Sequence, residues 1–308
     1  MDTPGDRGIR LLYWTVHFPT QFAWVQEMFP PTRFRVLNSV LEIQSQTASM
    51  LSGGLASLLL GKVPVALILT LDAASYVIGG AMIACISSRS SSRLGSNRTV
   101  TWVADMMEGF ACLRTDPRRI SFFLCALFPF IAVMAGNYVN PIFVVQTLRA
   151  EPSVLGLSSL LYAVGAVLAG WTVSRLMERK GAVWVIVACV ALFAAGLASV
   201  AWFPVVLIFL VAETVMGWGN AGARIARNTL LMETVPNKVM GRVNSFFMGA
   251  GYVCRLLLLG SFTWLVPGYG AGLAYQLLAV LLALALAGVW LTRKAFARSN
   301  RAHQYMAG

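Results

Sequence analysis

The sequence predicts an all-α polytopic membrane protein with about nine transmembrane helices. Three observations predict it. Of 308 residues, 58% are hydrophobic and only 12% are charged, about half the charge of a soluble domain. The mean hydropathy is +0.72, and a water-soluble fold cannot easily hide that much apolar surface. The apolar residues also fall into nine runs of about 20 residues, the length that crosses a bilayer.

The runs lie at roughly 10–29, 40–61, 64–87, 120–147, 153–176, 182–202, 204–226, 243–266 and 272–292. The first is the weakest, because His17, Pro19, Gln21 and Gln26 interrupt it. Turn residues separate the others, among them Pro30-Pro31, Lys62-Val63-Pro64, Lys180-Gly181 and Pro267-Gly268. Five scattered cysteines share no metal-ligand spacing and read as packing residues. No cleavable signal peptide is read at the start, which lacks a small-residue cleavage site.

Orientation follows from charge. Nineteen of the 24 Lys and Arg residues sit in alternate loops or at the C-terminus, and Arg255 lies within a run. The positive-inside rule then puts the C-terminus and the 88–119 connector in the cytoplasm and the N-terminus of this chain outside. A net charge of +12 is thereby a topology signal, and no nucleic-acid partner is expected. Within the connector, Trp102, Met106, Phe110 and Leu113 recur at helical spacing, which predicts an amphipathic helix on the cytoplasmic face.

An internal repeat organises the chain. Glu27 and Pro30 are echoed by Glu233 and Pro236, and Asn38-Ser39 by Asn244-Ser245, all at an offset of 206 residues. Related halves are usual in transporter folds. The expected organisation is a partial N-terminal half of three spans (1–87), a linker (88–119), a six-helix half (120–296) and a cytoplasmic tail (297–308). Moving the start of the second half back by the repeat offset falls before Met1. The chain is therefore expected to lack the first three spans of a six-plus-six protein.

Several motifs carry a family resemblance. Phe18-Pro19-Thr20 through Pro30, Asn38-Ser39 and Leu71-Asp72-Ala73-Ala74-Ser75-Tyr76 resemble helices four to six of one branch of the major facilitator superfamily. That branch includes enterobactin exporters and macrolide-efflux proteins. Asp105, Glu108, Gly109, Leu113, Arg114 and Pro117 resemble its D-x-x-E-G-x-x-x-L-R-x-x-P connector, and Pro236 with Gly241-Arg242-Val243-Asn244-Ser245 resembles its loop between helices ten and eleven. The resemblance implies a partial major facilitator fold, the equivalents of helices four to twelve. The superfamily's cytoplasmic latch, G-x-x-x-D-R-x-G-R-R, is seen as Gly170, Arg175, Arg179 and Lys180, with Ser174 at its Asp position and Met177 at its second Gly.

Carboxylates within apolar runs are the first candidates for function, because insertion of one at mid-bilayer costs about 3 kcal/mol. Glu213, Gly217, Asn220 and Arg224 share one face of a helix, at i, i+4, i+7 and i+11. Glu213 is read as binding a proton or a cationic substrate; the alternative is a structural pair with Arg224 or Arg255. Glu42 shares a face with Gln46, Ser49 and Gly53 and is placed near a hydrated edge. Asp72, His17, Arg255 (with Tyr252 and Met248), and Asn137 and Tyr138 with Asn140 complete the candidates for substrate or proton binding. No metal or cofactor site is read.

The function these readings favour is a secondary active transporter of the inner membrane. It would export a small amphipathic molecule, drug-like or siderophore-like, in exchange for protons by alternating access, with binding between the halves. No ATP-binding loop of the G-x-x-x-x-G-K-[ST] type is present. The partners are the lipid bilayer, the small-molecule substrate and protons; oligomeric state is not read. The competing readings are a truncated, non-transporting remnant and a membrane-embedded lipid-modifying enzyme. The enzyme would need a clustered base and nucleophile, which two histidines, one of them in the tail, do not supply.

Overall fold

A computed structural model gives the fold, and it describes residues 21–22, 24–59, 63–85, 117–151 and 153–296. The predicted connector helix and tail lie outside them. Helix dominates throughout. After a short helical stretch ending at Met28, Pro30 is extended and Pro31 opens a 3₁₀ turn (Pro31–Arg33). A proline costs nothing at a helix start, where its missing N–H would have had no partner. The turn leads into α1 (Phe34–Leu59), which begins before the apolar run predicted from residue 40. Then comes α2 (Val65–Ala84).

Two compact units divide the described chain, residues 47–101 and the remainder. The smaller contains the end of α1 and all of α2. Taken by itself, α2 is apolar and largely exposed from Ala66 to Met82, the composition of a helix that faces lipid.

The larger unit carries the described residues up to Gln46 and every described helix from Pro117 onward. α3 (Pro117–Cys125) and α4 (Phe128–Ile142) form one span, with a joint just before Pro129. Proline there cannot donate to the preceding turn. Pro141 has the same effect near the end of α4, and a π-helical stretch (Phe143–Thr147) follows it. α5 (Ser153–Lys180) stops at Gly181, which adopts φ +81° and donates its N–H to the Met177 carbonyl at 2.8 Å. That left-handed residue allows an immediate turn into α6 (Ala182–Trp202). α7 (Val206–Thr234) ends at Val235-Pro236, and α8 (Asn237–Thr292) follows. α8 is broken at Gly270 (φ 80°, ψ 166°), just past Pro267, which divides it into the two spans the sequence predicts.

Among the described residues, five helices are long and apolar enough to cross a membrane, the broken α8 being one of them. α7 packs against both α5 and α6. Its approach to α5 depends on two glycines. A Cβ on Gly165 would lie 2.0 Å from the Thr214 carbonyl oxygen, and one on Gly217 would lie 2.1 Å from that of Tyr162. The helices thus touch backbone to backbone, as small residues allow where lipid supplies no hydrophobic drive for association. Two apolar clusters fill the unit. One holds Phe122, Phe123, Met177, Ile186, Ile225 and Phe247. The other holds Phe143, Val200, Phe209, Phe262 and Leu278.

Candidate functional site

A cavity of about 240 Å³ lies among α4 to α8. α4 contributes Gly136, Asn137 and Asn140, α5 Ser158, Ser159 and Tyr162, and α6 Phe193 and Leu197. Glu213 and Met216 come from α7, and Tyr275 and Leu278 from the second limb of α8. Among the described residues, every lining residue comes after residue 120.

Glu213 is 6% exposed. Among the described residues it has no ion pair and no hydrogen bond, and no Lys, Arg or His lines the cavity. The expected alternative, a pair with Arg224 or Arg255, is not formed. Around it the polar groups are organised. Asn220 donates its Nδ2 to the Tyr162 hydroxyl at 2.6 Å, and the Tyr275 hydroxyl donates to Asn140 Oδ1. Ser158 and Ser159 both donate to the Leu155 carbonyl at 2.9 Å.

The polar face of α7 is therefore shared among three neighbours. Glu213 enters the cavity, Gly217 meets α5, and Asn220 holds Tyr162. Arg224 reaches α1, where its Nη2 lies 2.5 Å from Glu42 Oε1. Gln46 donates to the same oxygen at 2.8 Å. Glu42 is only 7% exposed. The structure thus corrects the reading of a hydrated edge carboxylate: an arginine 182 residues away in sequence offsets the cost of its burial.

More polar contacts join the start of α1 to the end of α7. Asn38 Nδ2 donates to Phe34 O at 2.9 Å and Thr229 Oγ1 at 3.2 Å, and Arg35 Nε lies 3.6 Å from Glu233 Oε1. Gln26 Nε2 donates to the Met232 and Val235 carbonyls, both at 2.9 Å. These carbonyls end α7 and have no acceptor role left within the helix. Gln26 and Met232 are separated by the repeat offset, so the two repeat-related segments lie against each other.

The remaining candidates separate clearly. Asn137 lines the cavity, whereas Tyr138, about 100° further round the helix, is 39% exposed and does not. Arg255 is half-buried, with its Nε unpartnered, and stands outside the cavity lining. Asp72 is exposed on α2, in the smaller unit. His17 lies outside the described residues. Of the latch, Gly170 is buried where a Cβ would come 2.3 Å from Ile43 Cγ1, and Arg175, Arg179 and Lys180 are exposed in the last turns of α5. The sequence reading missed Tyr162 and Tyr275. Ser158 and Tyr162, at i and i+4, were a legible polar stripe in an apolar run; Tyr275 gave no such signal.

The sequence model of the Major Facilitator Superfamily matches residues 122–304. The chain belongs to that family. As a superfamily member it is a multi-pass membrane protein, grouped with transporters rather than enzymes. A similar solved structure is described as the crystal structure of a bacterial homologue of the iron transporter ferroportin in an outward-facing state. The TM-score is 0.63 at 17% identity, over 89% of this chain and 65% of that one. At that identity the likeness speaks for the major facilitator fold alone, and this chain spans about two-thirds of that structure's length. No curated protein matches the chain.

Proposed function

We propose that this superfamily member is a secondary active transporter of the inner membrane that exports a small amphipathic molecule in exchange for protons. The observation that carries the reading is Glu213, a buried carboxylate in a cavity to which no described residue brings a cation. A charged carboxylate in that setting is costly, so Glu213 holds a proton or a positive ligand. A group that must hold one or the other is the minimum an exchanger needs.

The contacts between α1 and α7 support alternating access. They form at the end where Arg35, Lys180 and Arg293 gather, cytoplasmic by the positive-inside rule. Glu42–Arg224, Arg35–Glu233 and the Gln26 and Asn38 hydrogen bonds hold that end closed. Gly170, where α5 approaches Ile43, is a hinge contact of the same closure, and Arg175, Arg179 and Lys180 serve as its latch. Arg255 and Tyr138 act outside the cavity lining. The enterobactin-exporter and macrolide-efflux resemblance supports the outward direction.

Proteoliposomes with an imposed pH gradient test the reading. Wild-type protein drives substrate flux that collapses with the gradient. Glu213→Gln inserts normally and loses gradient-driven flux. Equal flux in both refutes the role of Glu213.

A further inference from the structure

We propose that the cavity takes a small organic monocation, an amine or amidine on an apolar body, with its N–H groups directed at Glu213. This rests on the transporter reading of the same cavity and adds the class of substrate. Charge is the first argument. Among the described residues, the lining holds one carboxylate and no cation, so one positive charge neutralises it. An anion would add a second negative charge, and a divalent cation would leave a net positive charge buried.

Hydrogen-bond polarity is the second and more specific argument. Hydroxyls usually offer both a donor and an acceptor. Here Ser158 and Ser159 spend their protons on the Leu155 carbonyl, and Tyr275 spends its proton on Asn140. The lone pairs left to a ligand by these three hydroxyls, together with both oxygens of Glu213, are acceptors. The Tyr162 hydroxyl, which accepts from Asn220, and the amides of Asn137 and Asn140 still have protons to donate. The surface therefore complements a ligand whose N–H donors meet Glu213 and the three hydroxyls while any acceptor it carries meets these groups.

Size and shape supply the third. About 240 Å³ is below the roughly 300–1,000 Å³ of sites for drug-sized ligands. Phe193, Tyr162 and Tyr275 offer aromatic faces, and Met216 adds a thioether. Aromatic faces attract cations and also cover an apolar body. The donor set is unlike a metal site: among the described residues, no cluster of three His, Cys, Asp or Glu side chains could hold a metal ion.

A proton and the amine then compete for one carboxylate. Among the described residues, the other titratable groups that face Glu213 are the phenols of Tyr162, from α5, and Tyr275, from α8; α4 and α6 contribute none to the lining. Acidification therefore weakens amine binding through Glu213.

Isothermal titration of the purified full chain in nanodiscs tests this with four probes. Phenethylamine is the cation, phenethyl alcohol its neutral analogue, phenylacetate an anion, and manganese(II) a metal. The expected result is phenethylamine binding at least about tenfold tighter than the other three, a gap of about 1.4 kcal/mol, and weakening as the buffer is acidified. Glu213→Gln removes the preference for the amine over the alcohol while the circular dichroism spectrum and melting temperature stay those of wild type. Should Glu213→Gln melt early, Phe193→Leu, which keeps an apolar side chain, serves as the second variant; it weakens the amine and leaves the pH dependence. Binding of the alcohol as tightly as the amine, tighter binding of manganese(II), unchanged amine binding in Glu213→Gln, or no binding of any probe overturns the proposal. Flux in proteoliposomes separates this from the transporter reading. If gradient-driven flux depends on Glu213 but amines do not bind, only the substrate class falls. If amines bind and no flux occurs, only the transport reading falls.

Discussion

Replacing Glu42 by glutamine strands Arg224 inside the protein, and the cost can be worked from the geometry. The carboxylate side chain is 7% exposed and the guanidinium side chain 25%, at 2.5 Å separation. Removing one member of a buried pair costs about 3–5 kcal/mol, because the other is left as an uncompensated charge. Partial exposure of Arg224 lets water repay some of this, and its Nε already lacks a partner, so the lower end applies. A loss of about 3 kcal/mol corresponds to roughly a hundredfold in the equilibrium. Resistance to unfolding by sodium dodecyl sulfate, followed by helical circular dichroism, measures it. Arg224→Met strands Glu42 instead and costs a similar amount. The double variant Glu42→Leu with Arg224→Met removes both charges and should recover most of the loss, since a buried pair is about as stable as its apolar replacement. Single-variant costs below about 1 kcal/mol that simply add in the double variant would refute the reasoning, because groups in contact do not behave independently.

Three further outcomes follow from the packing. Gly217→Ala puts a methyl group 2.1 Å from the Tyr162 carbonyl oxygen, a backbone atom that cannot step aside; a loss of about 3 kcal/mol or more is expected in the same unfolding assay, while Gly260→Ala, with open space around its Cβ, stays near wild type. Asn38→Leu deletes the hydrogen bonds to Phe34 and Thr229 and leaves buried Thr229 without that donor, which predicts a loss of about 1–3 kcal/mol; a cysteine placed at Ser39 reports the loosened α1–α7 contact by faster reaction with a membrane-impermeant thiol reagent in a cysteine-free background. Tyr275→Phe removes the hydroxyl that fixes Asn140 and costs about 1 kcal/mol; a melting temperature unchanged from wild type would contradict the role assigned to that bond.

The helices were legible because their signals are local. A run of apolar residues long enough for a bilayer is visible one residue at a time, and so are the breakers Gly181 and Pro267 that bound or bend the runs. The polar face of α7 was legible too, since Glu213, Asn220 and Arg224 obey helical spacing. What each of them touches was not. Glu42 read as an edge residue because its counter-charge lies 182 positions away, and Tyr138 read as equivalent to Asn137 because proximity in sequence hides the turn of the helix between them.

By itself, the sequence determined the membrane class, the spans after residue 120 and the polar face of α7 that carries Glu213, Asn220 and Arg224. Only the tertiary structure decided that Arg224 belongs to Glu42, that Glu213 is left without a cation, and that Tyr162, Asn140 and Tyr275 surround it. The physical reason is that hydropathy and helical period are properties of neighbouring residues, whereas the pairing of buried charges depends on which helix faces which. Here that choice comes from backbone contacts at Gly165 and Gly217, whose lack of side chains lets α5 and α7 meet and carries the polar groups of both to one cavity.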